Sequence, residues 1–301
     1  MNPGGGTDPV TLAGQVAVVT GGGRGLGRAF AQALAAAGAS VAVLARSASE
    51  LAETVALVEQ SGGRANLFPA DVTDEGAVRA AFAQIEHAMG PVDLLVSNAG
   101  AIGRIGPFAK TDIVDWWRAM DVNVRGPLQC LSVVLPGMIA RGRGRIIHVA
   151  TSAVPIAYLS SYMTSKTALI RATECIAAEV KPNGISMFSI SPGTVRTAMS
   201  EHSLNSEEGT TWIPWYRRVF DEGLDLPPER PARLVVTLAS GKADALTGLY
   251  LTPYDDLDAL LQRTAEIERD KLCTLRIRPL GVSAEAAARA AIQDRAQRPQ
   301  R

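Results

Sequence analysis

Residues 15–20, Gln-Val-Ala-Val-Val-Thr, form a short apolar run rich in β-branched side chains, and they lead straight into Gly21-Gly22-Gly23-Arg24-Gly25-Leu26-Gly27. An Ala-rich stretch over residues 28–37 follows and stops at Gly38. The first segment reads as a buried strand and the last as a helix. A strand, a glycine turn and a helix in direct succession make the opening unit of a dinucleotide-binding sheet. Glycines let the backbone approach a pyrophosphate, and a helix N-terminus offers N–H groups and the positive end of its dipole. The spacing here is Thr20-Gly21-x-x-x-Gly25-x-Gly27, not Gly-x-Gly-x-x-Gly. Ordinary tight turns use the same residues, so it is the position between strand and helix that carries the reading.

The alternation continues. Strands are expected at 40–45, 66–70, 93–96, 143–150 and 184–190, with helices at 49–60 and 74–89 and a long helical region at 111–141. Asp74 suits the cap of the second of these helices. Strands that alternate with helices predict an α/β fold, a doubly wound, mostly parallel sheet with helices on both faces. Ligands of such sheets bind at the carboxyl ends of the strands. Gly25, Arg46, Asp71, Asn98, Thr151 and Thr194 all follow strand ends.

Arg46 ends the second strand, where an acid would hold the free 2′-hydroxyl of NAD. Arg46, together with Arg24 in the glycine turn, gives two guanidiniums and no carboxylate there. Arg forks onto phosphate oxygens, so the pair favours NADP(H) over NAD(H). Asp71 suits either an adenine amino group or a turn. Ser97-Asn98-Ala99-Gly100 leaves room for a nicotinamide-side ribose, and Asn123 sits among apolar residues and needs partners.

Tyr162 and Lys166 lie four apart, just beyond Thr151 and Ser152. Leu169, Ala172, Ile176 and Val180 recur at helical spacing, with Ser160 or Ser161 as the expected cap and Lys181-Pro182-Asn183-Gly184 as the stop. Tyr162 and Lys166 then share one helix face. A nearby ammonium lowers a phenol pKa from its usual value of about 10, which suits proton transfer near neutral pH.

Thirty basic residues balance thirty acidic ones, which gives no electrostatic case for nucleic acid or an anionic membrane. No run of about 18 apolar residues predicts a membrane span. Cys130, Cys175 and Cys273 are odd in number and far apart, and read as buried thiols of a reducing compartment, hence the cytoplasm. His148 reads as structural, and His87 and His202 show no metal-ligand spacing, so no metal site is expected.

Taken together, Thr20-Gly21-x-x-x-Gly25-x-Gly27, Asp71, Ser97-Asn98-Ala99-Gly100, Asn123, the hydroxyls at 151–152, Tyr162-x-x-x-Lys166 and Pro192-Gly193-x-Val195-x-Thr197 resemble the short-chain dehydrogenase/reductase family in its shorter branch. The resemblance implies a Rossmann fold with a seventh strand at 248–251. It implies an oxidoreductase passing hydride between NADP(H) and an alcohol or carbonyl substrate. Tyr162 would be the general acid/base, Lys166 would hold the nicotinamide ribose and lower the Tyr pKa, and Asn123 would anchor a water in a proton relay. By count the carbonyl-orienting hydroxyl falls on Thr151, with Ser152 one residue later as the alternative. Gly21, Gly23, Arg24, Gly25, Leu26, Gly27, Arg46, Asp71, Val72, Asn98, Ala99, Gly100, Pro192, Gly193, Val195 and Thr197 would surround the cofactor.

The family also implies a homodimer or homotetramer, built through the Asn123 and Tyr162 helices. A non-catalytic dinucleotide sensor is the alternative function. One domain is expected over 11–270, after a flexible tail at 1–10 and before an extension at 271–301. Within it, residues 200–226 hold Trp212, Trp215, Tyr216 and Phe220 and read as an aromatic substrate lid. Further helices are expected at 227–239, 255–271 and 283–297, and a strand at 273–278.

Overall fold

A computed structural model describes residues 10–277. Seven strands pair in the order β3-β2-β1-β4-β5-β6-β7, every pairing parallel. In chain order they are β1 Val16–Thr20, β2 Ser40–Ala45, β3 Arg64–Pro69, β4 Leu94–Ser97, β5 Gly144–Val149, β6 Ile185–Ile190 and β7 Tyr250–Leu251. The helices between them include α1 Gly25–Ala36, α2 Ala48–Gln60, α3 Glu75–Met89, α4 Ile113–Met120, α5 Gly126–Arg141 and α6 Ser160–Val180. Beyond β6 come α7 Ala198–Asn205, α8 Glu207–Trp212, α9 Tyr216–Asp221 and α10 Glu229–Ala239, and after β7 come α11 Leu257–Gln262 and α12 Thr264–Asp270.

Alternate strand residues serve two cores. Val19, Val43, Val96 and Ile147 pack under α1, α2 and α10, while Val18, Leu44, Leu95 and Ile146 pack under α3, α5 and α6. Both faces are covered, which is why the central strands read as unbroken apolar runs. Strand order reverses between β1 and β4, so their carboxyl ends open a crevice.

Local signals held where the chain's own chemistry decides. Asp74 caps α3, its side chain accepting from Ala77 N–H at 3.0 Å. The expected cap of α6 is different: Leu159 precedes the helix and no side chain caps it. Ser160 lies inside the helix, where its hydroxyl accepts from the Trp116 indole at 3.0 Å, and Ser161 is buried. The helical region at 111–141 is α4, a π turn at Asp121–Arg125, and α5.

The expected helix at 255–271 is two helices that break at Arg263. The expected strand at 273–278 does not form over its described part, residues 273–277. Lys271 and Cys273 take left-handed φ values of 54°, which an extended strand cannot accommodate. The segment docks instead. Cys273 O accepts from Tyr250 N–H at 2.9 Å, and Leu275 is held by Glu174 and Arg171 of α6 at 2.6 Å each. Among the thiols only Cys130 is buried; Cys175 is exposed, on the outer side of α6 from Thr173 and Ala177. Most of the expected tail at 1–10, and the expected helix at 283–297, lie outside the described residues.

His148 on β5 is fully buried and structural. Its Nδ1 meets Thr173 Oγ1 at 2.9 Å, and that hydroxyl gives its single hydrogen to Leu169 O at 2.8 Å. His148 Nδ1 must therefore be the donor, and Nε2 carries a bare lone pair. Ser97 and Ser189 stand on either side of His148 in the sheet register. Burial, then the Lys166 charge, lower the His148 pKa from 6.5 to about 3. An unfolded chain takes up this proton near the ordinary value and the folded chain does not. His148 thus favours the folded state fully above pH 6.5, and this contribution is lost as pH falls toward 3. The slope is about 1.4 kcal/mol per pH unit. Urea unfolding between about pH 7 and 4.5 should show it. His148→Asn, which keeps a donor toward Thr173, should remove that part of the slope; equal slopes in both proteins would exclude the assignment.

Candidate active site

A cleft of about 690 Å³ lies across the carboxyl ends of the strands. Its floor is the glycine turn. Gly27 sits where a Cβ would come within 2.6 Å of Asn98 Nδ2 and strike the Gly21 carbonyl, so no larger residue fits. Asn98 Nδ2 donates to Thr20 O at 3.0 Å and Gly21 O at 3.3 Å. The Thr20 hydroxyl accepts from the N–H groups of Asn98 and Ala99 at 3.0 and 3.1 Å. Behind the turn, Gly23 O accepts from Arg28 Nε at 3.1 Å, Arg28 Nη2 at 2.5 Å and Thr54 Oγ1 at 3.1 Å. The turn is thus held from both sides, with the N-terminus of the twelve-residue α1 at its end and no acid in that helix's first turn. That cradle fits a dinucleotide pyrophosphate.

Arg24, Arg46 and Asp71 line the end of the cleft nearest β2 and β3. Asp71 is both cleft residue and turn residue: its Oδ1 accepts from Thr73 N–H at 2.9 Å and Thr73 Oγ1 at 2.8 Å. The expectation of no carboxylate at this end is wrong. Glu50 of α2 lines it too and pairs with Arg24 at 3.1 Å. Glu50 is far from Arg24 in sequence, and only the packing of α2 on the glycine turn brings them together.

Tyr162 and Lys166 line the far end, with Asn98, Ala99, Gly100, Pro192 and Thr197 between or beside them. Lys166 is buried, and its Nζ donates to Val149 O at 2.7 Å. Burial lowers its pKa from 10.5 to about 8. For Tyr162 the expected lowering is not what dominates. Enclosure of the ring raises the phenol pKa, and the Thr151 side chain pulls the other way. Asn123 is fully buried in the π turn, beneath the cleft rather than on its wall. Its Oδ1 accepts from Ala101 N–H, and its Nδ2 donates to Ala101 O, each at 2.8 Å, and to Ser165 Oγ at 2.9 Å.

Of the residues expected around the cofactor, Gly21, Gly23, Gly25, Leu26, Gly27 and Val72 also line the cleft, whereas Gly193 and Val195 do not. Gly193 packs against Leu226, and Val195 bridges to Leu226 as a short parallel pair, so both brace the loop that presents Pro192 and Thr197. Thr151 and Ser152 stand outside the cleft lining, on the loop above it. Sequence reading missed Ser47, Glu50, Ala101, Val122, Ala198 and Met199. None belongs to a spaced motif.

Beside Tyr162 lies a separate apolar cluster. Ile105, Leu159, Met163 and Ile213 form it, with Ile102, Ile156, Trp212, Tyr216 and Tyr162 packed on it. Tyr158, held at φ 69°, lays its ring 4.9 Å from that of Trp212. Burial, then the Tyr162 phenol, push the Tyr216 hydroxyl up to about 12. The cluster draws on α8, α9 and the start of α6, so residues 212, 213 and 216 of the region expected as a lid pack in the same cluster as Tyr162.

Comparison with known proteins agrees with this architecture. The family profile described as short chain dehydrogenase matches residues 15–208. A short chain dehydrogenase of Pseudocercospora fijiensis is 32% identical over 279 residues, covering 88% of this chain and 90% of that protein. A 2,5-dichloro-2,5-cyclohexadiene-1,4-diol dehydrogenase of Sphingobium indicum is 35% identical over 244 residues, covering 80% and 95%. The solved L-sorbose reductase of Gluconobacter frateurii, complexed with NADPH and L-sorbose, superposes with a TM-score of 0.74 at 29% identity, over 81% of this chain and 97% of that one. A profile match over more than half the chain, these relatives and a seven-stranded parallel sheet lead to one conclusion: the chain belongs to the short-chain dehydrogenase/reductase family of oxidoreductases.

Proposed function

We propose that this chain uses NADP(H) to interconvert an alcohol and a carbonyl on a bulky apolar substrate, with Tyr162 as the proton carrier. The observation that carries the reading is that Tyr162 and Lys166 line the same cleft as the glycine turn, with Thr151 acting on the phenol. Bound in that cleft, the nicotinamide ring supplies or accepts the hydride. Tyr162, kept neutral by its enclosure, is in the form that gives a proton to a carbonyl oxygen. Lys166 has three donors and spends one on Val149 O, which leaves two for ribose hydroxyls. Its positive charge favours the phenolate that remains after transfer. Asn123 ties Ala101, on the cleft wall, to Ser165, on the helix of Tyr162, and so supports a proton relay rather than touching substrate.

Thr151 is the hydroxyl we assign to orient the carbonyl, because it is the one that interacts with Tyr162. Arg24 and Arg46 support a 2′-phosphate, and the similar L-sorbose reductase holds NADPH. The wall of Ile102, Ile105, Ile156, Met163, Trp212 and Ile213 supports an apolar substrate. Exposed Ile113, Val114 and Trp117 on α4 support self-association through that helix. The unpaired thiols among the described residues fit a reducing compartment such as the cytoplasm, and no described helix is long and apolar enough to cross a membrane. One catalytic domain over 11–270 fits the continuous sheet.

Tyr162→Phe should lower turnover by about 10²–10⁴-fold, the usual share of acid–base catalysis. NADPH affinity, read by fluorescence, should change less than about twofold. Retained turnover would remove the proton carrier, and turnover absent from the unmodified protein across a carbonyl panel, with tight NADPH binding, would favour the sensor reading. Comparing Thr151→Ala with Ser152→Ala assigns the hydroxyl: the first should lose at least about tenfold in kcat and the second little, and the reverse order would move the role to Ser152. Arg46→Ala should weaken NADPH by about tenfold, roughly 1.4 kcal/mol, with NADH little changed; equal losses would defeat the 2′-phosphate assignment.

A further inference from the structure

Glu50 is set firmly at the adenosine end of the cleft. It is the third residue of α2, and its N–H is taken by Ser47 Oγ at 3.3 Å. Its carbonyl accepts from Thr54 Oγ1 at 3.2 Å and Arg28 Nη2 at 3.4 Å. A Cβ on Gly23 would lie 2.9 Å from Glu50 Cβ, so helix and glycine turn touch with no space between them. From this fixed base the carboxylate reaches Arg24, whose Nη1 donates to Oε1 at 3.1 Å. Its other oxygen stands 3.5 Å from the place of a Gly23 Cβ, at the cleft floor. Arg28, the neighbouring guanidinium, is committed to Gly23 O and to Glu53 at 2.8 Å. Arg46 is exposed and has no carboxylate partner among the described residues.

Resting on the NADP(H) reading above, we propose that Glu50 sets how strongly this enzyme discriminates between 2′-phosphorylated and unphosphorylated cofactors. A 2′-phosphate drawn to Arg24 competes with the Glu50 carboxylate for its guanidinium and stands beside a charge of its own sign. A 2′-hydroxyl meets a carboxylate able to accept its hydrogen. Glu50 thus opposes NADP(H) and assists NAD(H), while Arg46, with no carboxylate paired to it among the described residues, acts for the phosphate. Arg24 is 65% exposed and Glu50 35%, so the pair is weakly held and readily exchanged. The outcome is a graded preference rather than exclusion of either cofactor.

Adenosine 2′,5′-bisphosphate and 5′-AMP differ only by the 2′-phosphate and need no turnover. Their dissociation constants should be measured calorimetrically for the unmodified protein and for Glu50→Gln, which keeps shape and removes charge. In the variant the bisphosphate should bind about three- to tenfold tighter, with 5′-AMP unchanged or weakened up to about threefold. If the unmodified protein prefers the bisphosphate and Glu50→Gln leaves that preference unaltered, Glu50 has no such role and the NADP(H) reading stands. If neither protein prefers the bisphosphate, both ideas fall. If a preference arises only in Glu50→Gln, the carboxylate offsets the pull of both arginines and the proposal holds.

Discussion

The contact between the first glycine turn and the end of β4 governs the rest of the structure. Gly27 must lie against the Gly21 carbonyl and Asn98, and Asn98 and Thr20 bind the two strand ends to each other. β1 and β4 are neighbours in the sheet although a long stretch of chain separates them. Their carboxyl ends diverge to opposite helix layers, and the crevice between is where a ligand enters. The polar clasp of Thr20 and Asn98 satisfies backbone groups that the diverging strands leave unpaired. A side chain at Gly27 would force the clasp apart and close the cradle.

At the other end of the crevice, two opposed influences act on one phenol. Enclosure favours its neutral form, whereas the Thr151 hydroxyl favours the charged form. Lys166 is itself buried with its nearest hydrogen-bonded partner a carbonyl, so its own charge is held at a cost and its pKa falls to about 8. Burial thus drives the two groups apart in proton affinity, since the phenol rises from 10.0 while the ammonium falls from 10.5 to about 8. α6 is kept in place by contacts that have nothing to do with chemistry: His148 to Thr173 below, Trp116 to Ser160 at the start, and Leu275 to Glu174 on the outer side.

What the sequence disclosed depended on range. The strands were legible because both sides of the sheet are covered, which leaves runs such as Val16–Val19 and Leu94–Val96 wholly apolar. The glycine turn and the Tyr162 helix were legible because their spacing is local. Glu50 was not, since nothing in Ser47-Ala48-Ser49-Glu50 marks it as the partner of an arginine in the preceding turn. The same holds for the Arg28 and Thr54 grip on Gly23 O, and for the apolar wall assembled from three separate segments. The cap of α6 misled because Ser160 has a stronger claim elsewhere, on an indole contributed by another helix. Cys273-Thr274-Leu275-Arg276-Ile277 alternates like a strand, yet two left-handed residues turn it away from that geometry.

That turned segment has a consequence for how copies of the molecule can meet. β7 is the last strand of the sheet, and a bare final strand presents unpaired N–H and C=O groups to any passing chain. Here the amide of Tyr250 that points away from β6 already has its acceptor in Cys273 O, and the segment is tethered to α6 on its far side. A neighbouring protein would have to peel this strap away before it could extend the sheet. Growth by edge-to-edge stacking is thereby discouraged at this margin.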